Sequence, residues 1–271
     1  MISIFGHSGF IGTRYCEMYP DQLVKIPRES NDPESSDVLY LISTVDNYNI
    51  FTNPFIDIET NLVKLIKVLE RCKDKDITFN FISSWFVYGN TEYTVLESDP
   101  CNPKGFYSVT KRTAEQLVIE YCTTFKIKYR IIRLSNVIGI TDHKVSDKKN
   151  ILQYTIQLLK QNESVTVYNQ GTFTRDYLHV DDVCTAINLI VTQGNVNDIY
   201  NVGSGISTRF IDILVIAKQL LRSSSEFLFV GCPDQYKNFQ IKNCRLNVTK
   251  LTNLGFKPRY NLTGIIEKLC H

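Results

Sequence analysis

Short, unbroken apolar runs alternate along the chain with longer stretches in which apolar residues return every three or four positions. The runs "MISIF" (1–5), "LVKI" (23–26), "DVLYLIS" (37–43), "TFNFIS" (78–83) and "YRIIRLS" (129–135) have the length of strands. The third is continuous enough for a strand buried on both faces. Between them, helical spacing predicts helices in "IGTRYCEMY" (11–19), "IETNLVKLIKVLERC" (58–72) and "YSVTKRTAEQLVIEYC" (107–122). Buried strands that alternate with amphipathic helices predict a parallel sheet covered by helices on both faces.

The pattern changes from about Asn136 onward, where strands shorten and loops lengthen. Helices are expected in "NILQYTIQLLKQ" (150–161), "VDDVCTAINLIVTQ" (180–193) and "TRFIDILVIAKQLL" (208–221), with "IYNVGSG" between the last two. The expected organisation is a nucleotide-binding domain over residues 1–164 and a smaller α/β substrate region over 165–271. Segments around 176–205 return to the first domain. Between the second and third runs only about ten residues are available, so a whole βα unit is expected to be missing from the sheet.

Composition narrows the class. At 271 residues, 43% apolar and 21% charged, the chain is that of a soluble globular protein with a large core. A net charge of +2 gives no electrostatic case for nucleic acid or a membrane surface. The charged runs Lys73–Asp76 and Ser146–Lys149 read as solvated. No stretch approaches the ~18 apolar residues of a membrane span, and the N-terminus lacks the features of a secretion signal. Eight cysteines without a C-x-x-C pair predict reduced, mostly buried thiols and no metal site. The expectation is a cytoplasmic protein, in which the sequons at Asn162, Asn247 and Asn261 carry no meaning.

Gly6, Gly9 and Gly12 in "FGHSGFIG" fall three apart, between the first strand and the first helix. Glycines there permit a tight turn and close approach of backbone to a pyrophosphate, which the helix N-terminus attracts. The loop residues Phe10 and Ile11, and Ser43 at the end of the third run, are further cofactor-binding candidates. A Rossmann-type doubly wound sheet follows, with its ligand at the carboxyl edge. No acid closes the second strand to hold a ribose diol; Arg28 stands nearby and suits a 2′-phosphate. NADP is therefore expected in preference to NAD.

Tyr107 and Lys111 in "YSVTK" lie at i and i+4 on one helix face. A tyrosine near its ordinary pKa of ~10 is a poor acid–base at neutral pH. A neighbouring ammonium is expected to lower it toward the working range. The preceding strand ends in "FISSWFVYG", which brings a hydroxyl from Ser83 or Ser84 to the same edge.

The motifs "GHSGFIG", "SSWFVYG", "YSVTK", "IIRLSNVIG", "GTFTRDYLHVDDV", "IYNVGSG" and "NVTKLTNLGFKP" together resemble the extended short-chain dehydrogenase/reductases that act on nucleotide sugars. The resemblance spans nearly the whole chain. It implies Ser84, Tyr107 and Lys111 as catalytic residues, with Tyr107 the acid–base and hydride passing between a sugar carbon and the nicotinamide. It implies Asn136 and Arg175 near the substrate diphosphate, a contact suited to a planar bidentate donor, with an Arg175–Asp176 structural pair as the alternative. It places Val167, in "VTVYNQG", beside the base, with the segment 232–250 also bearing on base choice. His179 is expected to hold the fold.

The chain departs from the family's 4,6-dehydratases, which carry an Asp-Glu pair after the catalytic hydroxyl. Trp85 and Phe86 stand there and cannot transfer protons, so dehydration is not expected. Either the bulky pair narrows the substrate pocket, with Trp85 as a contact, or the rings face the core. The expected activity is nucleotide-sugar oxidoreduction at C4, with a 4-ketoreductase placed ahead of a 4-epimerase that keeps NAD bound. A non-catalytic dinucleotide sensor ranks behind both, because Ser84, Tyr107 and Lys111 are all retained. The resemblance also implies a homodimer formed through the helices at 58–72 and 107–122.

Overall fold

The fold is described from a computed structural model over residues 1–140, 142, 150–234, 236–237 and 243–271. The charged run Ser146–Lys149 and positions 235 and 238–242 of the base-side segment lie outside the described residues. Five strands come from the first half of the chain: β1 (Ile2–Phe5), β2 (Leu23–Ile26), β3 (Asp37–Tyr40), β4 (Thr78–Ser84) and β5 (Lys128–Leu134). The second half contributes β6 (Asn136–Ile138), β7 (Val165–Tyr168), β8 (Thr174–His179), β9 (Asp198–Val202), β10 (Ser207–Arg209) and β11 (Phe227–Val230). The main sheet is parallel throughout and runs β2-β1-β3-β4-β5-β9.

Alternation along these strands fills two cores at once. Ile4, Leu39, Ile82 and Ile132 point to one face and meet α1 (Phe10–Met18) and α6 (Val180–Gln193) through Tyr15, Ile187 and Ile190. Phe5, Val38, Tyr40, Phe79 and Phe81 point to the other, under α3 (Lys64–Cys72) and α4 (Phe106–Thr124), which supply Leu65, Leu69, Ala114 and Val118. All four residues of β1 are buried, whereas β2, at the sheet edge, exposes Lys25.

Among the described residues no strand lies beyond β2, and the connection 27–36 carries no helix. Side chains organise it instead. Lys64 Nζ donates to Arg28 O and Ser30 O, each at 2.9 Å, and to Asn31 Oδ1 at 2.7 Å. Ser3 Oγ accepts from Glu34 N at 2.9 Å.

The single helix expected over 58–72 is interrupted. It consists of α2 (Phe55–Ile58), a π-helical turn over Glu59–Val63, and α3. The wider turn carries Asn61, 2% exposed, whose Oδ1 accepts from Thr44 N at 2.9 Å and whose Nδ2 donates to Thr110 Oγ1 at 3.1 Å. Such turns occur where a side chain must be redirected, often beside a functional site.

The remaining elements form two small sheets, β10-β8-β6 and β11-β7, beside the carboxyl edge of the main sheet. Their core joins Ile138, Phe173 and Val167 to α5 (Ile151–Lys160), α7 (Phe210–Leu221) and a helix over Leu262–Cys270. The eight cysteines are free thiols, seven of them buried. Among the described residues no helix is long and apolar enough to cross a membrane, and no three potential ligands cluster for a metal.

Candidate active site

The glycine loop closes tightly behind β1. Gly6 adopts φ +86°, and Gly9 N donates back to Gly6 O at 3.1 Å. A Cβ on Gly12 would come within 2.2 Å of Gly6 O, so only glycine lets α1 start this close to the turn. No side chain caps α1, and its first i→i−4 bond runs from Thr13 N to Gly9 O at 2.8 Å. The amides of the first turn therefore stay outside the ladder at the positive end of the helix dipole. A cradle that a single Cβ would fill, bordered by free amides, fits the pyrophosphate of a dinucleotide.

From this cradle a cavity of about 660 Å³ runs along the carboxyl edge of the sheet. It brings together Gly6, Gly9, Phe10, Ile11 and Gly12, then Ser43 after β3, Ser84 and Trp85 after β4, and Tyr107 and Lys111 on α4. Asn136 on β6 and Arg175 on β8 complete its far side. Two expected site residues lie outside this lining. Arg28 is exposed beyond the end of β2, and Val167 is 1% exposed with its side chain in the apolar core of the small sheets. Alternation along β7 turns Val167 inward, leaving only its backbone for a ligand.

Tyr107 opens α4, 7% exposed, and Lys111 follows one turn later at 2%. Burial pushes the Tyr107 phenol up to about 12; hydrogen bonding from Ser84 and Ser43 pulls it down, and Asp57 pushes it up. Lys111 Nζ donates to Ile82 O at 2.7 Å and lies 4.4 Å from the Phe81 ring centroid. Burial brings this ammonium down to about 7, opposed by Glu115. The sequence led us to expect a phenol acidified by Lys111. In the folded protein desolvation is the larger effect on both groups, so the phenol keeps its proton at neutral pH.

One turn beyond Lys111, the fully buried Glu115 is held by Arg133 in a fork of 2.9 and 2.8 Å. Arg112 adds a bond at 2.8 Å, and Arg133 Nη1 donates to Tyr88 OH at 2.8 Å. Burial is the largest single influence on the Glu115 carboxyl and raises it, but the bonds and charges around it, those of Arg133 foremost, together outweigh burial and hold the carboxyl below the usual carboxylate range.

Ser84 ends β4 by accepting the amide of Phe86 at 3.3 Å, which starts a short 3₁₀ turn over Trp85–Tyr88. The turn holds its two rings against each other, 4.4 Å apart, with different neighbours beyond. Trp85, 2% exposed, packs among Val87, Val95, Cys244 and Leu246 and lies 4.9 Å from the Arg175 guanidinium. Phe86 meets the Tyr107 ring edge-on at 6.0 Å. Asp176 turns its carboxylate to the loop after β9, accepting Ser204 N at 2.8 Å and Gly205 N at 3.0 Å. A Cβ on Gly203 would sit 2.6 Å from that carboxylate. Asn136 Nδ2 donates to Asp176 O at 2.9 Å. His179 Nδ1 accepts from Asp181 N at 3.2 Å and so caps α6.

Asn61 and Asp57 went unnoticed in the sequence. Asn61 bonds to Ser43 Oγ at 3.1 Å. Asp57 is 1% exposed and accepts from Asn49 at 2.8 Å. Both occupy polar positions of an amphipathic pattern, where nothing separates a buried polar residue from a solvated one.

A parallel doubly wound sheet with a glycine phosphate cradle and a serine, tyrosine and lysine at its carboxyl edge defines an extended short-chain dehydrogenase/reductase. Residues 2–203 match the model of the NAD dependent epimerase/dehydratase family, and the chain belongs to that family. It is 29% identical over 235 residues to a Methanocaldococcus jannaschii protein named "Putative UDP-glucose 4-epimerase", covering 86% of this chain and 75% of that one. Among solved structures, a UDP-glucose 4-epimerase with UDP-glucose from Thermotoga maritima superposes with a TM-score of 0.87 at 19% identity, over 99% of this chain and 97% of that one. RMD from Pseudomonas aeruginosa complexed with NADPH gives a TM-score of 0.84 at 22% identity, with the same coverage of 99% and 97%.

Proposed function

We propose that the protein is an NAD(P)-dependent oxidoreductase of nucleotide sugars that acts at sugar C4, working as a 4-ketoreductase. The observation that supports this reading is the burial of Tyr107 in one cavity with Ser84, Lys111 and the phosphate cradle, a burial that raises the phenol's pKa and so favours its neutral form. A neutral phenol is a general acid, and a carbonyl oxygen being reduced needs a proton. The nicotinamide cofactor, when bound, supplies the hydride. Ser84 and Tyr107 would hydrogen-bond the C4 oxygen, and Tyr107 would donate its proton as that oxygen gains charge. Lys111, one helical turn on and in the same cavity, would in its protonated form stabilise the phenolate left after transfer. Trp85 and Phe86 carry no transferable proton, which speaks against the dehydration that other members of this family perform.

Arg175 would hold the substrate diphosphate and Asn136 would border it. Arg28, beyond β2, favours NADPH through its 2′-phosphate. A second reading is a 4-epimerase with resident NAD, supported by the named activities of the relatives. Denaturing the purified protein and identifying released dinucleotide by mass separates the two. An empty protein that binds NADPH more tightly than NADH supports the reductase. Stoichiometric NAD that survives dialysis supports the epimerase.

A homodimer is part of the proposal. Phe55, Val63 and Ile66, at 71%, 40% and 37% exposure, and Val109 at 46% leave apolar surface on the α2–α3 segment and α4. A dimeric mass in solution is expected, and a monomeric one would remove this part.

A further inference from the structure

The connection between β2 and β3 is held from two sides. Ile26, the last residue of β2, pairs with Phe5, which directly precedes Gly6, so the strand ends level with the phosphate cradle. The chain beyond it passes the place where this fold meets the ribose hydroxyls or the 2′-phosphate of a dinucleotide. The far half of the connection is anchored to the sheet. Ser35 Oγ lies 2.7 Å from Ser3 Oγ, and Ser36 O accepts from Thr78 N at 2.8 Å. The near half, residues 28–31, is gripped from α3.

Lys64 is the first residue of α3, directly after the π turn. An ammonium has three N–H bonds, and here they go to Arg28 O, Ser30 O and Asn31 Oδ1. Lys64 therefore acts through the segment that it holds. Seven residues on, on the same helix face, Arg71 reaches Asp32 at 3.6 Å. The Arg28 side chain itself is exposed. Burial first and then Lys67 lower the Lys64 ammonium from its ordinary value; Glu29 opposes them, and Arg28 adds to the lowering. The cations of α3 and Arg28 thus share one neighbourhood, in which a phosphate dianion relieves the repulsion between like charges.

We infer that Lys64 is a positioning residue which fixes the backbone from Arg28 to Asn31 so that the Arg28 guanidinium meets the 2′-phosphate of NADPH, and that it thereby sets the preference for NADPH over NADH. The inference rests on the reading of Arg28 as the 2′-phosphate contact. The connection 27–36 has no helix to hold its shape, and ordering a loose segment on binding costs affinity. Three charge-assisted bonds, to two carbonyls and one side-chain oxygen, supply that order beforehand. The effect falls on NADPH, since NADH carries no phosphate at that position.

The test is calorimetric binding of NADPH and NADH to the full chain and to Lys64→Met, Lys64→Arg, Lys67→Met, Asn31→Ala and Arg28→Met, with the ratio of the two affinities as the readout. Damage to the fold lowers both affinities together and leaves the ratio in place, whereas loss of positioning lowers that of NADPH. Lys64→Met is expected to cut the ratio about tenfold. Lys64→Arg keeps a charge and several donors and should hold the ratio within about threefold of the parent protein. Lys67→Met removes a charge beside Lys64 and none of the three bonds, so it should change the ratio by less than about threefold. Asn31→Ala removes one acceptor and should lower the ratio by about threefold, and it decides the matter if Lys64→Met does not fold. A fall in Arg28→Met alongside an unchanged ratio in Lys64→Met and Asn31→Ala would overturn the positioning role and leave Arg28 as the contact. A fall in Lys67→Met as large as that in Lys64→Met would put a diffuse field in place of positioning and overturn it as well. An unchanged ratio in Arg28→Met, or a parent protein without a preference for NADPH, would overturn the Arg28 reading and this inference with it.

Discussion

Lys111 Nζ rests 2.7 Å from the carbonyl oxygen of Ile82, two residues before Ser84 on β4. The bond ties α4 to the strand that carries Ser84. It also places the ammonium in a site with little water, where burial lowers its pKa to about 7.

That value gives a pH dependence with a definite sign. Lys111 loses its charge as pH rises through about 7, while Tyr107 keeps its proton until about 12. Reductive kcat/KM should therefore fall with unit slope above neutral pH, and Lys111→Arg should move that limb upward. A flat profile from pH 6 to 9 would contradict it. Stability runs the other way. The unfolded chain binds the Lys111 proton up to its ordinary pKa and the folded chain only to about 7. Between these values the unfolded state holds more protons, and stability from this group rises with pH.

Replacing Tyr107 by phenylalanine removes the acid and leaves the ring contact with Phe86. Turnover should drop by about 10²–10⁴, with NADPH affinity unchanged within about threefold. Steady-state kinetics and a cofactor titration on the same preparation check this. Full turnover in Tyr107→Phe would remove the phenol from the mechanism.

Glu115 and Arg133 are 0% and 1% exposed and joined by two bonds. Taking away Glu115 leaves the buried Arg133 charge without its counter-ion, at a cost of about 3–5 kcal/mol, whereas taking away Arg133 leaves Glu115 its bond to Arg112. Glu115→Gln should lower the denaturant midpoint by a corresponding amount and Arg133→Met by less, and the double replacement should cost less than their sum. The cost of Arg133→Met should shrink in acid. The depressed Glu115 carboxyl contributes stability above its ordinary range, and this is lost as pH falls through the lowered value.

Gly12→Ala puts a methyl 2.2 Å from Gly6 O, a backbone atom that cannot swing away. Either the turn or α1 must shift, and cofactor affinity should fall at least about tenfold while the cores persist. Far-UV dichroism with an NADPH titration separates loss of the cradle from loss of the fold.

Much of this site could be read from the chain, and the failures have physical causes. The inner strands were visible because burial on both faces demands unbroken apolar runs, and α6 matches its apolar pattern from Val180 to Gln193. Tyr107 and Lys111, singled out by their spacing together with the surrounding family motifs, do line one cavity, but their ionisation could not be read, because desolvation depends on what other segments pack around them. The π turn at Asn61 leaves no trace in an apolar pattern that continues through it. Trp85 and Phe86 are neighbours with equally apolar side chains, and the sequence does not say that the packed pair meets Arg175 through Trp85 and Tyr107 through Phe86.

The most direct test of C4 reduction is transfer of a labelled hydride. NADPH deuterated at nicotinamide C4 would be given with 4-keto-6-deoxyhexoses carried on dTDP, UDP, GDP and CDP, and UDP-glucose would be run in parallel without added cofactor. The account expects deuterium at C4 of one product sugar, dependent on Tyr107, and no change in UDP-glucose. Conversion of UDP-glucose to its C4 epimer without added cofactor, with no deuterium in any sugar, would contradict it.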